Sequence, residues 1–546
     1  MKKLLFFTLL IFIQITSATA QSSEKEQPPV VKTANGIIEG INDSGVKIFK
    51  GIPYAQPPVG DLRWKPPQPA KNWSGVRKAQ QFGPGCMQRP IFGDMNFRFP
   101  KMSENCLYLN VWTPEKKSDA KLPVLVYFYG GGFLAGDGSE PRYDGESMAR
   151  NKGIVAITAN YRLNVFGFFA YPGLTKESPH HASGNYGLLD QVQVLRWVKQ
   201  NIAAFGGDPN KVTIAGESAG SMSVSGLMAS PLSKKLFRGA DGESGGLFGP
   251  LTPAPLSVGE QNGDKFAKMV GAKSLSDLRS MSAKDLLKAT GMKGSPYFSA
   301  IVDGYFLPKS PTEIFSAGEQ AHVPLFVGWN SEEMSYMALL RGQKPTPENF
   351  EKVVNAIYGK NAGEILKLFP HSNEQEVIES ATSLASDRFT LFSTWKWAEL
   401  QSKTGGEPVY RYYFSRARPA MNASMGNARA GLAGGVIKGK KDDTAKVQPP
   451  KGAVHSAEIE YIMGNLSTNK VYDWSADDYK VSHIFQDYLA NFVKTGNPNG
   501  LGLPKWVPFN EGSDHPVMQI DVDTYLRPAK HRKQLLFLDQ LYSNDK

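Results

Sequence analysis

A sharp turn between an apolar strand and a helix constrains this chain more than any other feature. The strand pattern Val212 to Ala215 runs directly into the sequence Gly-Glu-Ser-Ala-Gly at 216–220. In a Gly-x-Ser-x-Gly turn the backbone is so tight that a Cβ at Gly216 or Gly220 would collide with neighbouring backbone. Ser218 is therefore the candidate nucleophile, held in strained geometry at a helix N-terminus, where free N–H groups favour a developing oxyanion.

A second Gly-x-Ser-x-Gly match lies close by, in a chain with 54 glycines. It spans 242–246 and contains Ser244. The preceding residues 236–241 resemble a buried strand less clearly, and no small-residue helix start follows. The strand-turn-helix context that the motif requires therefore favours Ser218 over Ser244.

The N-terminus has the pattern of a secretory signal peptide. Two lysines precede the apolar run Leu4 to Ile15, and an Ala-x-Ala site ends at Ala20. We expect cleavage after residue 20 and a secreted or periplasmic protein. The apolar run is too short to span a bilayer, and no other stretch is long enough. The two cysteines, Cys86 and Cys106, then predict one disulfide, with two free buried thiols as the alternative.

Charge and metal-binding patterns exclude several classes of function. Two cysteines alone cannot make a structural zinc site, and no His-Glu-x-x-His or paired acidic motif is present, so no metal is expected. The net charge is +11. No basic helix or aromatic-interleaved basic patch accompanies it, which disfavours nucleic-acid binding. A lysine cluster precedes His455; it is either a solvated loop or a border of the site that attracts anionic substrates. Its members are Lys438, Lys440, Lys441, Lys446 and Lys451.

Strand and helix patterns alternate along the chain, which predicts a doubly wound α/β fold with helices on both faces of a mainly parallel sheet. We expect one domain over 21–546, with helical cap segments at about 252–305 and 345–404 above the strand ends, where ligands bind. The expected elements are an N-terminal hairpin of Val30 to Gly40 with Val46 to Gly51, strands at 122–128, 153–158, 323–327, 409–414 and 517–520, and helices at 188–205 and 481–493.

A serine nucleophile needs a base, and the base needs an acid that fixes its tautomer. The order serine, acid, histidine leaves five histidines well beyond Ser218: His371, His455, His483, His515 and His531. His455 lies in a small-residue turn that opens a helix, and a loop position suits a side chain that must reach the serine. Glu332 and Glu333 follow the strand at 323–327 and are nearly equal candidates for the acid.

An oxyanion hole needs backbone N–H groups that can approach a carbonyl oxygen. Tyr129 and three glycines follow the strand at 122–128, and a glycine run leaves no side chain in the way. The expected donors are Gly131, Gly132 and Ala219.

With these residues in place, the chain resembles the type B carboxylesterases, the family that also contains the cholinesterases, over almost all of the mature sequence. The resemblance implies the α/β-hydrolase fold. The landmarks that carry it are Phe49 to Ala55, Glu104 to Asn110, Gly184 to Gln191, Phe205 to Pro209, Gly216 to Gly220 and His455 to Gly464.

The resemblance assigns roles that spacing leaves open. It implies Ser218 as nucleophile, His455 as base and Glu333, rather than Glu332, as acid. It implies that Ser244 supports the triad and that Glu217 is a buried carboxylate beside the nucleophile. Cys86 and Cys106 match the family's first disulfide.

Two positions depart from the pattern. Tyr129 stands where many carboxylesterases have histidine, although the backbone donors of the hole should survive this change. Asp241 replaces an apolar strand residue, and a buried carboxylate without a partner is costly. We expect either a compensating hydrogen bond or local loosening around Asp241.

The sequence thus predicts a serine carboxylesterase that hydrolyses a small-molecule carboxylic ester through an acyl-enzyme, with no cofactor. One alternative is a detoxifying esterase acting on anionic polycarboxylate esters, which the basic excess motivates. A second is a non-catalytic, cholinesterase-like binding protein on the same fold. The esterase reading requires the imidazole of His455 to meet Ser218 in space.

Overall fold

The computed structural model describes residues 27–115, 121–437, 450–509, 515–529 and 531–544. The expected signal peptide at 1–20 and four of the five clustered lysines, those from 438 to 446, lie outside the described residues. Among the described residues, no helix combines the length and apolar character needed to cross a membrane.

The strands alternate with helices along most of the chain. The strands are β1 (Val30–Thr33), β2 (Gly36–Glu39), β3 (Ile41–Asp43), β4 (Val46–Pro53), β5 (Val76–Lys78), β6 (Tyr108–Pro114), β7 (Leu122–Phe128), β8 (Val155–Ala159), β9 (Gly207–Glu217), β10 (Gly239–Glu243), β11 (Ala254–Pro255), β12 (Ile301–Val302), β13 (Leu325–Asn330), β14 (Val409–Phe414), β15 (Arg429–Ala430), β16 (Val436–Ile437), β17 (Val517–Ile520) and β18 (Tyr525–Arg527). The α-helices are α1 (Glu146–Lys152), α2 (Asn164–Phe168), α3 (Pro172–Glu177), α4 (Tyr186–Asn201), α5 (Ala219–Ala229), α6 (Leu256–Met269), α7 (Leu275–Ser280), α8 (Ala283–Ala289), α9 (Pro311–Ser316), α10 (Tyr336–Leu340), α11 (Pro347–Tyr358), α12 (Ala362–Leu368), α13 (Glu374–Ser386), α14 (Phe392–Thr404), α15 (Ile459–Ile462), α16 (Ala476–Thr495) and α17 (Arg532–Asn544).

Eleven strands form the main sheet, in the order β18-β17-β14-β13-β10-β9-β7-β8-β6-β4-β3. Strands β17 to β8 in this order pair in parallel, and antiparallel pairs flank them at both ends. The predicted mainly parallel α/β-hydrolase sheet is confirmed. Strand β9 lies between β7 and β10, so the residues after these three strands leave the sheet at one edge.

Most of the expected elements are present. The strands at 122–128, 409–414 and 517–520 have the predicted bounds, and the amphipathic pattern at 188–205 forms α4 followed by a short 3-10 turn. The predicted single N-terminal hairpin is wrong. The chain makes two hairpins, β1 with β2 and β3 with β4, and they belong to different sheets.

The expectation for the residues before Ser244 was also wrong. They form the fully buried strand β10, paired in parallel with β9 and β13. Its sequence, Gly-Ala-Asp-Gly-Glu, lacks the apolar run by which a buried parallel strand is recognised.

The interior contains two large apolar clusters. One packs around the main sheet and its covering helices, with α4 contributing Leu188, Val192, Leu195 and Val198. The other joins β13 and α10 to α14 with the C-terminal helix α17. The segments 252–305 and 345–404 are largely helical, containing α6 to α8 and α11 to α14.

Candidate active site

Ser218 occupies the tight turn between β9 and α5. Its φ is +56°, in the left-handed region that non-glycine residues rarely adopt. A Cβ on Gly216 would lie 2.6 Å from the carbonyl oxygen of Phe128, and one on Gly220 would overlap the same oxygen. The predicted steric need for both glycines is confirmed.

The carboxylate of Glu333 holds the imidazole of His455. Glu333 Oε2 lies 2.6 Å from His455 Nδ1, and the Glu333 side chain is fully buried. Its other oxygen accepts hydrogen bonds from Ser244 Oγ at 2.6 Å and from the N–H of Asn330 at 2.7 Å. Glu332 is only partly buried and does not contact His455; its backbone N–H bonds to Ala453 instead.

The loops that carry Glu333 and His455 are fastened to each other. The N–H of Glu332 donates to the carbonyl of Ala453, and the Asn330 side-chain amide donates to the carbonyl of Val454, both at 2.8 Å. The N–H of Ala453 donates to Ser331 Oγ at 2.8 Å. These bonds fix the separation of acid and base across 122 residues of chain.

His455 Nε2 faces the residue that precedes the serine. It lies 3.1 Å from Glu217 Oε1, but the contact lacks hydrogen-bond geometry, and Glu217 Oε1 accepts no hydrogen bond among the described residues. The hydrogen bonds of the described residues also include none between Ser218 and His455. The imidazole thus stands beside the nucleophile turn with its Nε2 uncommitted.

Two carboxylates control the charge of His455. Burial disfavours the imidazolium, but the nearby Glu217 and Glu333 carboxylates more than offset this and raise the pKa of His455 to about 9. Burial also raises the pKa of Glu217, while the charge of His455 opposes that rise. The ring of Phe389 packs edge-on against the imidazole, with ring centroids 4.8 Å apart.

The three expected oxyanion donors lie at the ends of neighbouring strands. Phe128 of β7 pairs with Gly216 of β9, so the glycine run begins next to the Ser218 turn. Among the described residues, no hydrogen bond starts from the N–H of Gly131 or Gly132. Ala219 is the first residue of α5, where the backbone N–H has no partner within the helix.

A model of the Carboxylesterase family matches residues 27–537. The chain belongs to this family. Among the relatives of this carboxylesterase is the fumonisin B1 esterase of Sphingopyxis macrogoltabida, 33% identical over 91% of this chain and 88% of the relative. The pig (Sus scrofa) liver carboxylesterase is 32% identical over 98% and 97% of the two chains, and the para-nitrobenzyl esterase of Bacillus subtilis is 31% identical over 93% and 98%.

Solved structures agree with these relatives. A structure titled PNB esterase superposes on this carboxylesterase with a TM-score of 0.74 and 30% sequence identity, covering 94% of this chain and all of the other. The carboxylesterase is therefore a carboxylic ester hydrolase, and the alternative of a non-catalytic binding protein is set aside.

The other candidate histidines of the carboxylesterase lie away from the Ser218 turn. His371 Nδ1 bonds to the carbonyl of Phe369, and its Nε2 lies 3.4 Å from Glu351 of helix α11. His483 is on helix α16, and His515 and His531 flank β17 and β18. Only His455 contacts a candidate acid from the loop after β13.

Asp241 of the carboxylesterase is fully buried, and β10 keeps its register on both sides. Neither expected outcome for Asp241 is found, because no N–H or O–H group of the described residues reaches its oxygens and the strand is not loosened. Instead, burial raises the pKa of Asp241 to about 8, with the carboxyl of Glu243 within hydrogen-bonding reach. Burial and the charge of Asp241 raise the pKa of Glu243 as well. A shared proton replaces the missing donor.

The remaining predicted contacts of the carboxylesterase include the disulfide between Cys86 and Cys106, which is present. Sequence reasoning gave no role to Asn330 or Glu458. The amide of Asn330 bonds to the fully buried Glu458, whose Oε1 lies 3.4 Å from Ser244 Oγ. A polar residue in the last position of a buried strand was the available signal for Asn330.

Proposed function

We propose that Ser218 attacks the carbonyl carbon of a carboxylic ester. His455 accepts the Ser218 proton and delivers it to the leaving alcohol, while Glu333 fixes the imidazole tautomer and stabilises the imidazolium. Water then attacks the acyl-enzyme with His455 as base, which releases the acid and restores Ser218. The contact of 2.6 Å between Glu333 and His455, beside a serine at positive φ, carries this proposal.

The proposed cycle requires Ser218 Oγ and His455 Nε2 to approach each other on substrate binding. Catalytic hydrogen bonds are often long or poorly aligned in free enzymes and tighten in the substrate complex. Both partners flank Glu217, so a change of the Ser218 side-chain rotamer is the movement that we propose.

We propose Gly131, Gly132 and Ala219 as the oxyanion donors. Support comes from the two uncommitted N–H groups of the glycine run and from the position of Ala219 at a helix N-terminus. Ser244 and Glu217 complete the site by holding Glu333 and by placing a carboxyl beside His455.

The test is active-site labelling together with turnover. Ser218→Ala should abolish hydrolysis of a short-chain nitrophenyl ester and labelling by a fluorophosphonate probe, while the protein keeps its thermal transition. Ser244→Ala is the matched control, because Ser244 lies in the second Gly-x-Ser-x-Gly match and also has positive φ. It should retain the label. Turnover by the Ser218 variant would refute the assignment.

For the substrate, we propose an anionic ester as a second, more specific possibility. The net charge of +11 favours negatively charged ligands, and one relative is named for fumonisin B1. Fumonisin B1 is therefore the first defined ester to assay. Added salt should lower kcat/KM for an anionic ester but not for a neutral one of equal size; equal salt effects would refute a charge-selective site.

We also propose that the carboxylesterase is exported after removal of residues 1–20. The charge and apolar pattern of that segment and the disulfide between Cys86 and Cys106 support export to an oxidising compartment. The intact mass of the mature protein tests the cleavage site.

For the domain organisation, we propose one domain with the segments 252–305 and 345–404 as caps. The contact of Tyr297, from the first segment, with the carbonyl of Gly132 supports this placement.

A further inference from the structure

The three glycines after β7 have their backbone carbonyls held by outside groups. The carbonyl of Gly131 accepts from the N–H groups of Leu134 at 3.0 Å and Ala135 at 3.1 Å. The carbonyls at the two ends of the run accept instead from tyrosine hydroxyls, those of Tyr161 and Tyr297. Each tyrosine reaches the run from a different part of the fold.

Tyr161 holds the first end from the core. Its hydroxyl donates to the carbonyl of Tyr129 at 2.8 Å, and the two rings stack with centroids 4.5 Å apart. The Tyr129 hydroxyl in turn lies 3.2 Å from the carbonyl and 3.3 Å from the N–H of Tyr161. Both side chains are buried. This reciprocal pair explains how a tyrosine at 129 can anchor the run.

Tyr297 holds the second end from the segment between α8 and β12. Its hydroxyl donates to the carbonyl of Gly132 at 2.7 Å, although the residue is 57% exposed. A residue whose ring is largely in solvent is thus fixed by one polar contact to the loop beside Ser218.

The position of these two contacts matters because each peptide unit is planar. The N–H of Gly131 and the N–H of Gly132 belong to the peptides 130–131 and 131–132. The Tyr161 contact fixes the preceding peptide, 129–130, and the Tyr297 contact fixes the following one, 132–133. Glycines at positive φ, +110° at Gly131 and +63° at Gly132, allow many backbone conformations, so orientation must come from the ends.

We propose that Tyr161 and Tyr297 are positioning residues that hold the glycine loop from both sides and so keep the N–H groups of Gly131 and Gly132 aimed at the developing oxyanion. This inference rests on the proposed function, since it requires the reaction to pass through an oxyanion at this loop. Neither hydroxyl needs to touch the substrate.

The test compares Tyr161→Phe and Tyr297→Phe with Tyr488→Phe. Tyr488 is the matched control, because its buried ring also donates its hydroxyl to a backbone carbonyl, that of Pro504 at 2.7 Å, on helix α16. Two constants are measured for each full-length variant: kcat/KM for a nitrophenyl ester, and the inhibition constant of a trifluoromethyl ketone. The tetrahedral adduct of that ketone places its oxyanion in the same hole as the reaction does.

Each of the two test variants should lose about 3- to 10-fold in kcat/KM, as expected for one lost hydrogen bond, and less than the hundred-fold or more of a lost oxyanion donor. Ketone binding should weaken in parallel, while KM stays within about twofold of wild type. Tyr488→Phe should change neither constant. Tyr297 lies at the surface, so its variant tests the proposal even if Tyr161→Phe folds poorly.

Constants for both test variants that match those of Tyr488→Phe would overturn the proposal. An effect of only one tyrosine would refute a loop held from both sides. A loss of kcat/KM without weaker ketone binding would show a structural role instead. Failure of the proposed function itself is read separately, from retained activity in Ser218→Ala.

Discussion

Replacing Asp241 with asparagine should remove a pH dependence from the stability of this carboxylesterase. Asp241 is fully buried in the central strand β10, and burial raises its pKa from the ordinary value of 3.8 to about 8. The folded protein therefore keeps this carboxyl protonated at pH values at which the unfolded chain ionises it.

The magnitude follows from proton linkage. Between pH 5 and 7 unfolding releases one proton from Asp241, so the free energy of unfolding falls by about 1.4 kcal/mol per pH unit, or about 3 kcal/mol over that interval. The sign is that of an acid with a raised pKa: its stabilising contribution is complete below pH 4 and is lost as the pH rises toward 8. Asparagine has a similar shape, can donate to Glu243 and has no such proton.

The assay is the thermal midpoint of wild type and Asp241→Asn between pH 5 and 7. Relative to wild type, the variant should gain about 2 to 3 °C across this interval, which is the shift that about 3 kcal/mol produces in a chain of this size. Asp523→Asn, at an exposed position, is the control and should follow wild type. Parallel curves for wild type and Asp241→Asn would refute a buried, protonated carboxyl at this position.

Three further outcomes are expected. Glu217→Gln should lower the pKa of His455 from about 9, so the acidic limb of the kcat/KM profile moves to lower pH; an unmoved limb would exclude this carboxylate as a cause. Glu333→Gln should reduce kcat by about a thousand-fold or more while the thermal midpoint stays close to wild type, because the imidazole loses its tautomer control. Replacing both Cys86 and Cys106 with serine should cost about 3 kcal/mol in denaturant unfolding, since the bond closes a loop with a sequence separation of 20; an unchanged midpoint would show that the disulfide does not restrain the unfolded chain.

The sequence predicted the sheet and the elements that carry Ser218, Glu333 and His455, because local pattern determines them. An apolar run before two glycines defines the turn at 216–220, and a continuous apolar run at 122–128 defines β7. The residues before Ser244 contain two glycines and two acids in five positions. Their burial depends on neighbouring strands that are distant in sequence, so β10 was missed.

The choice between Glu332 and Glu333 also depended on more than spacing. Both follow the same strand, and only the direction of the chain after Asn330 decides which side chain turns inward. The contacts of Tyr161 and Tyr297 with the glycine loop join segments that are far apart in sequence, so no local pattern indicates them. The state of Asp241 depended on the second carboxyl beside it.

The bonds that join the loop after β13 to the loop before α15 divide the reaction centre into two halves. Acid and base share one of them, and the nucleophile turn and the glycine run share the other. Movement within either half would disturb contacts that the backbone already fixes, whereas movement between the halves changes only how the imidazole faces the serine. Control of the reaction can therefore act at this seam, without altering either partner's own surroundings.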